Sequence, residues 1–244
     1  MQMKMLASSL LALSVTLSFP SSSQETPGQK TVNEKIAELE RSVARLPIKN
    51  VYFGLNDKGS FLFSEGGRFV FEGKVYDGWQ KKYITNLEEA KASYVVPLER
   101  IGINPATLGA LHSKEEGEID LVVFTDPNCT ACDGLYEKLQ PFSQDYKIAY
   151  VLTNLIGGDE STPLIKRLYC EQDKQKALKS LVNSEELDLP DMKVDQCDYS
   201  RLFNNLAATQ VLGISQLPTL VNRRGRIIQG VPKALTQFLK EGDE

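Results

Sequence analysis

Apolar and polar positions follow two successive patterns in the first third of the chain. Between residues 32 and 46, apolar residues recur every three or four positions, which predicts an amphipathic helix that ends at Pro47. Beyond Pro47 the period shortens to two, and turns rich in glycine separate short apolar runs, which predicts strands. Those runs cover residues 51–55, 60–63, 69–71 and 74–76. Such a small α+β unit can bury little surface by itself, so it is expected to need a partner.

The segment from residue 79 to 118 carries more charge than the preceding part of the chain. Residues 86–93 and 105–111 have helical patterns, which Pro97 and Pro105 interrupt. We interpret it as an interdomain linker that is partly helical. His112, the only histidine of the chain, lies in this segment. A single histidine outside any recognisable motif is expected to face solvent rather than to act as a ligand or a base.

The remainder of the chain alternates strand-like and helix-like segments. The run at 119–125 is apolar and β-branched, as in a strand buried on both faces. A turn at Arg224-Gly225 predicts a hairpin near the end of the chain. The other predicted elements are helix 133–139, strand 147–152, a long helix 162–181, helix 199–212, hairpin strands 217–222 and 226–229, and helix 233–239. This order predicts an α/β, thioredoxin-like core with a helical insertion.

The net charge argues against some functional classes, and the N-terminal sequence indicates where the protein acts. The chain of 244 residues has a formal net charge of −4, which indicates neither nucleic-acid binding nor attraction to an anionic membrane. After Lys4, an apolar stretch from Met5 to Phe19 leads to Pro20 and three serines. This pattern predicts a cleaved signal peptide over residues 1–23, with a retained anchor helix as the alternative. Export suits the four cysteines, because an oxidising compartment favours disulfides.

Cys129 and Cys132 form a CxxC pair between a predicted strand and a predicted helix. The unpaired N–H groups and partial positive charge at a helix N-terminus stabilise a thiolate. Cys129 is therefore the expected nucleophile, and Cys132 is the thiol expected to resolve the mixed disulfide. Half of a zinc site and an inert disulfide are the alternatives. Zinc is not expected, because Cys170 and Cys197 are too far apart in sequence to supply a second pair of ligands at similar spacing.

Cys170 and Cys197 flank a connection that contains Pro190, so a disulfide between them would staple the helical insertion. In the chain-entropy model such a bond stabilises by roughly 3–4 kcal/mol. A second redox pair is the alternative.

Pro218 precedes the predicted hairpin strand, and two interpretations of it are open. Its peptide bond is either cis, with Pro218 opposite the CxxC pair and the backbone of Leu217 available to a substrate, or that of an ordinary trans proline.

Several stretches together resemble the DsbC/DsbG family of bacterial periplasmic protein-disulfide isomerases. The similar stretches are VFTDPNCTAC at 123–132, LYCEQDKQKA at 168–177, LGISQLPT at 212–219, and the two N-terminal stretches NDKGS at 56–60 and FEGKVYD at 71–77. Together they are spread over most of the mature chain. The resemblance implies a structural Cys170–Cys197 bond, a cis Pro218, and a Cys129–Cys132 pair that a membrane thiol reductant keeps reduced.

The resemblance also implies a domain organisation. The expected parts are a signal peptide (1–23), a small cystatin-like dimerisation domain (31–78), a linker (79–118) and a thioredoxin-like catalytic domain (119–244). The family forms V-shaped homodimers whose cleft holds misfolded, disulfide-containing exported proteins. Disulfide isomerisation in the periplasm, without a cofactor, is the function that follows.

The chain departs from the family at positions that tune redox poise and substrate release. Thr130 and Ala131 stand where an aromatic residue is common, and Leu217 replaces a common threonine. Asp126 and Asp133 lie beside the cysteines, so the pKa of Cys129 is expected to be less depressed than in strongly oxidising relatives. These departures leave two alternatives open: a dedicated dithiol oxidase or reductase with few clients, and a holdase chaperone.

Overall fold

The computed structural model describes residues 42–183 and 197–242. Within these ranges no helix combines the length and the hydropathy needed to cross a bilayer. The predicted signal peptide, most of the predicted helix 32–46 and the connection around Pro190 lie outside the described residues.

The first described element is an antiparallel sheet with the strand order β1-β2-β3-β4. Its strands are β1 (Val43–Arg45), β2 (Val51–Asn56), β3 (Gly59–Ser64) and β4 (Val70–Glu72). The three strands predicted within residues 51–71 are confirmed. The helix predicted to continue to residue 46 is wrong over residues 43–45, which pair with residues 52–54 of β2. The spacing of Val43 and Leu46 fits a helix, but pairing with β2 gives this short segment main-chain partners and buries Ala44.

A hairpin and a short helix follow this sheet. The hairpin consists of β5 (Val75–Asp77) and β6 (Lys82–Ile84), and the helix is α1 (Leu87–Ala92). The Asn86 side chain caps α1 by accepting the N–H of Glu89 at 2.8 Å, so the helix predicted at 86–93 is confirmed. A small apolar cluster joins these elements to the first sheet; its buried members are Ala44, Leu46, Phe53, Ile84 and Ala90.

A five-stranded mixed sheet forms the larger part of the fold, with the order β11-β10-β8-β9-β7. The central strands β8 (Leu121–Thr125) and β9 (Ile148–Leu152) are parallel, and every residue in both is buried. The other strands are antiparallel to their neighbours: β7 (Ala110–His112), β10 (Thr219–Asn222) and β11 (Ile227–Gln229). This α/β arrangement agrees with the predicted thioredoxin-like core.

Helices complete the larger core. They are α2 (Thr130–Leu139), α3 (Ser161–Cys170), α4 (Lys174–Asn183), α5 (Arg201–Val211) and α6 (Leu235–Lys240). The single helix predicted at 162–181 is wrong, because α3 ends at Cys170 and a separate helix, α4, begins at Lys174. Asp173 begins α4 by accepting the N–H groups of Gln175 and Lys176 at 3.1 and 3.0 Å, as a side-chain cap does.

The segment from residue 79 to 118 packs against the larger sheet. The helix predicted at 105–111 is wrong: a 3₁₀ helix covers Pro105–Thr107, and β7 follows it as an edge strand. The buried side chain of Asn205 fixes this path, because it accepts the N–H of Gly109 and donates to its C=O, both at 2.7 Å. Val96, Ile103, Leu108 and Leu111 join the buried cluster of the larger sheet. The domain boundaries at residues 78 and 118 stay predictions.

Candidate redox site

The CxxC pair lies at the start of α2, just after the loop that follows β8. Cys129 is the N-cap of α2 and has extended backbone angles (φ −100°, ψ 96°). Its N–H donates to the C=O of Asp126 at 3.0 Å, and its own C=O accepts the N–H of Cys132 at 2.8 Å. A turn thus closes after the buried strand, and the helix starts at the first cysteine. Two residues separate the cysteines, so both sulfurs lie within the first turn of the helix.

The two cysteines are joined by a disulfide, with their Cα atoms 5.3 Å apart. Cys129 keeps 4 % of its surface exposed, whereas Cys132 is 0 % exposed. The intervening Thr130 and Ala131 are both exposed. An incoming sulfur can therefore approach the pair from the side of Cys129. In the reduced form, the N–H groups of the first turn of α2 would stabilise a thiolate on Cys129.

The loop before β10 lies beside the CxxC segment. Antiparallel pairing aligns Thr219 with Phe124, so Pro218 lies next to the end of β8, from which the cysteine segment departs. The Leu217–Pro218 peptide bond is cis, and both residues are buried. The C=O of Pro218 accepts the N–H of Gly230 at 2.7 Å, which ties the loop to the end of β11. In the described part of the chain, the main-chain N–H and C=O of Leu217 have no hydrogen-bond partner.

Asp126 has a role that sequence reasoning missed. Asp126 is 1 % exposed, and its carboxylate accepts the N–H of Asn128 at 2.9 Å through one oxygen. The other oxygen accepts the N–H groups of Ile156 and Gly157 at 2.8 and 3.0 Å. The hydroxyl of Ser161 donates to the same carboxylate. The sequence alone indicates only a negative charge near the cysteines at Asp126, whereas in the structure this carboxylate joins two loops.

Two tyrosines lie behind the cysteine helix. The hydroxyls of Tyr136 on α2 and Thr125 on β8 are hydrogen-bonded to each other. The ring of Tyr136 also meets that of Tyr150 edge to face, with centroids 5.7 Å apart. Burial raises the pKa of both phenols well above the ordinary value. Both therefore stay protonated and neutral, and the Tyr136 contacts fix α2 against the sheet.

A second disulfide joins Cys170, the last residue of α3, to Cys197. Their Cα atoms are 5.8 Å apart, and Cys170 is 6 % exposed. The bond connects the end of α3 with the segment that leads into α5. It therefore closes the chain around the connection that contains Pro190.

His112 is not solvent-facing, which corrects the expectation from the sequence. It lies in β7 and is half-buried, and its Nδ1 atom is buried without a hydrogen-bond partner in the described part of the chain. Burial, followed by the charge of Lys147, lowers its pKa. Its register partner Ala149 aligns with Val122, near the start of β8. The cysteines follow the opposite end of β8, so His112 lies outside the redox site.

Side chains suited to holding a metal ion do not cluster in the described ranges: no group of three or more histidine, cysteine, aspartate or glutamate residues is found there.

Comparisons with known proteins give no match to a family model. They do give matches to curated proteins. The thiol:disulfide interchange protein DsbC of Pasteurella multocida is 22 % identical over 234 residues, or 95 % of this chain and 96 % of that protein. DsbC of Escherichia coli is 23 % identical over 201 residues, or 80 % of this chain and 79 % of that protein. The chain is similar to the DsbC thiol:disulfide interchange proteins.

Solved structures are similar to this chain as well. A disulfide interchange protein from Neisseria gonorrhoeae has a TM-score of 0.46 and 16 % identity, covering 58 % of this chain and 99 % of that one. Proteus mirabilis ScsC in a compact conformation has a TM-score of 0.45 and 17 % identity, covering 67 % of this chain and 82 % of that one.

Proposed function

We propose that this protein is a thiol-disulfide oxidoreductase that acts mainly as a disulfide isomerase on exported proteins. One observation carries the proposal: a CxxC disulfide caps the N-terminus of α2 and leaves only Cys129 partly accessible, beside the cis Leu217–Pro218 bond. The relatives named thiol:disulfide interchange protein DsbC support the same chemistry.

Isomerisation begins with the reduced protein and is neutral in electrons. The Cys129 thiolate attacks one sulfur of a wrong substrate disulfide, a mixed disulfide forms, and the other substrate sulfur leaves as a thiolate. A substrate thiolate then attacks the mixed disulfide at the substrate sulfur. A new substrate disulfide forms, and the Cys129 thiolate leaves unchanged.

Cys132 provides a second exit from the mixed disulfide. When its thiolate attacks Cys129, the substrate is released with two electrons gained, and the Cys129–Cys132 disulfide remains. A dithiol reductant must then reduce this disulfide before the next cycle. We propose a membrane thiol reductant for this step, and no bound cofactor is required.

Substrate contacts are proposed for the exposed Thr130 and Ala131 and for the loop at Leu217 and Pro218. The unpaired N–H and C=O of Leu217 could form a short β-like pairing with an extended substrate. Such pairing recognises the main chain and so accepts many substrate sequences.

A homodimer joined through the cystatin-like N-terminal domain is part of the proposal. β4 is a terminal strand of its sheet, and apolar side chains in it and immediately before it are exposed: Phe69 by 54 %, Val70 by 53 % and Phe71 by 66 %. An apolar edge strand of this kind favours pairing with another chain. The two catalytic domains of the dimer would then share one substrate cleft.

Export to the periplasm completes the proposal. The predicted signal peptide over residues 1–23 supports export, as does the presence of two disulfides in the described residues. An oxidising compartment in which disulfides form without selection among cysteines also produces non-native disulfides, which an isomerase corrects.

Two other functions stay open as alternatives. The unusual Thr130, Ala131 and Leu217 fit a dedicated dithiol oxidase or reductase for a few clients. The exposed apolar residues of β4 fit a holdase chaperone, in which the cysteines would be secondary.

Refolding of a scrambled substrate with several disulfides separates these functions. In a glutathione buffer, we expect the wild type to restore native pairing, Cys129→Ser to abolish the effect, and Cys132→Ser to retain part of it. Rapid turnover of a simple dithiol or disulfide peptide without rescue of the scrambled protein would favour the oxidase or reductase. Suppression of aggregation that survives both substitutions, without redox activity in the wild type, would favour the chaperone.

A further inference from the structure

The loop between β9 and α3, residues 153–160, exposes two adjacent apolar side chains. Leu155 is 40 % exposed and Ile156 is 55 % exposed. The other residues of the loop are Thr153, Asn154, Gly157, Gly158, Asp159 and Glu160, all of which are polar or glycine. Leu155 and Ile156 form the apolar pair of this loop.

The apolar pair is held next to the segment that leads into Cys129. Asp126 binds the main-chain N–H of Ile156 with one carboxylate oxygen and that of Asn128 with the other. Asn128 immediately precedes Cys129 in the chain. The approach is close, because a Cβ atom on Gly157 would lie 2.6 Å from the Nδ2 atom of Asn128. The loop and the cysteine segment therefore form one continuous surface.

Folding does not account for the apolar character of this pair. The main chain at Ile156 and Gly157 is fixed by the Asp126 carboxylate, an interaction that any residue except proline at position 156 would permit. Neither member of the pair belongs to a buried cluster. Polar residues would satisfy the same backbone contacts and would be better hydrated.

We propose that the apolar pair binds an apolar side chain of the substrate segment that carries the target disulfide. The inference rests on the proposed function and adds a substrate preference to it: disulfides flanked by apolar residues react faster than those flanked by polar ones. Such residues are buried in native proteins and exposed in misfolded ones. The apolar pair thus directs Cys129 toward disulfides in incompletely folded chains.

Two synthetic substrates test this preference. Each is a peptide of the same length and charge with one cysteine, carried as a mixed disulfide with an aromatic thiol. The cysteine is flanked by leucine and valine in one peptide and by serine and asparagine in the other. Attack by Cys129 at the peptide sulfur releases the aromatic thiol, whose absorbance gives the second-order rate constant for the reduced full-length protein.

We expect the wild type to prefer the apolar peptide by about five- to tenfold, the factor that burial of roughly 50 Å² of apolar surface provides. In the double variant Leu155→Ser/Ile156→Ser, the preference should fall to about twofold or less. The rate with a small aromatic disulfide should not change, because that reagent does not reach the apolar pair. Ile156→Thr alone should have an intermediate effect.

A matched control is the double variant Phe203→Ser/Leu206→Ser on α5, whose side chains are 68 % and 52 % exposed. This control should keep the full preference. An unchanged preference in the Leu155→Ser/Ile156→Ser protein, or none in the wild type, would overturn the inference and leave the proposed function standing. If the wild type reacts with neither peptide and not with the small disulfide, both the inference and the proposed function are overturned.

Discussion

The carboxylate of Asp126 accepts the main-chain N–H of Ile156 at 2.8 Å, thirty residues further along the chain. Its other oxygen accepts the N–H of Asn128, the residue before Cys129. One buried side chain therefore fixes the segment that leads into the redox pair and the loop that follows β9. The position of the reactive cysteine depends on this network as well as on α2.

Replacement of Asp126 by Asn should destabilise the fold by about 3 kcal/mol, because one amide oxygen cannot satisfy three main-chain N–H groups and the Ser161 hydroxyl. Urea unfolding of the oxidised protein measures this free energy. Asp159→Asn, in the same loop but exposed, is the matched control and should change stability by less than about 0.5 kcal/mol. Equal effects of the two substitutions would contradict the assigned role of Asp126.

Two glycine substitutions near the site should have opposite effects. A Cβ atom at Gly157 would lie 2.2 Å from the Ser161 hydroxyl oxygen, so Gly157→Ala should destabilise by about 1–3 kcal/mol. Gly134 lies within α2, where a Cβ atom would meet nothing within 4 Å. Gly134→Ala should therefore stabilise by about 0.5–1 kcal/mol through helix propensity. Thermal unfolding of both variants tests the pair, and a stabilised Gly157→Ala protein would refute the packing described.

Stability should fall at mildly acidic pH because of His112. Burial holds its pKa in the folded protein below 6.5, the ordinary value, so the unfolded chain binds the proton first as the pH decreases. The free energy of unfolding should therefore be undiminished above about pH 7 and should decline below about pH 6.5. His112→Gln removes this contribution, so the difference between the two stability curves isolates it. An NMR titration that gave His112 a pKa at or above 6.5 would contradict the prediction.

Removal of the second disulfide should affect stability and leave the exchange chemistry intact. Cys170 and Cys197 are 27 residues apart, and the chain-entropy model assigns closure of such a loop about 3–4 kcal/mol. The double variant Cys170→Ala/Cys197→Ala should unfold at correspondingly lower urea concentration. Below its unfolding transition it should reduce peptide disulfides at the wild-type rate. A folded variant without exchange activity would instead identify this bond as a second redox pair.

Local signals in the sequence predicted the core strands and the position of the redox pair. The apolar, β-branched run at 119–125 could be interpreted without its neighbours, because a strand buried on both faces has no polar side. The cysteine spacing and its place after that strand were equally local. For the same reason the predicted hairpin at residues 217–229 appears as β10 and β11.

Elements that depend on distant partners could not be predicted in this way. β1 and β7 are short edge strands whose sequences also fit helical spacing, and they form because β2 and β9 supply their hydrogen-bond partners. The role of Asp126 likewise depends on main-chain groups thirty residues away. The break between α3 and α4 is different: Asp173 is a recognisable helix cap, and attention to capping residues could have located it.

Capture of the mixed disulfide tests the central claim, that Cys129 is the nucleophile and Cys132 resolves the intermediate. Reduced Cys132→Ala protein is incubated with a peptide disulfide, quenched in acid and analysed by intact mass. We expect a stoichiometric adduct of one peptide through Cys129, little adduct with the wild type, and none with Cys129→Ala. An adduct that persists in Cys129→Ala, or that never accumulates in Cys132→Ala, would contradict the assignment of the two cysteines.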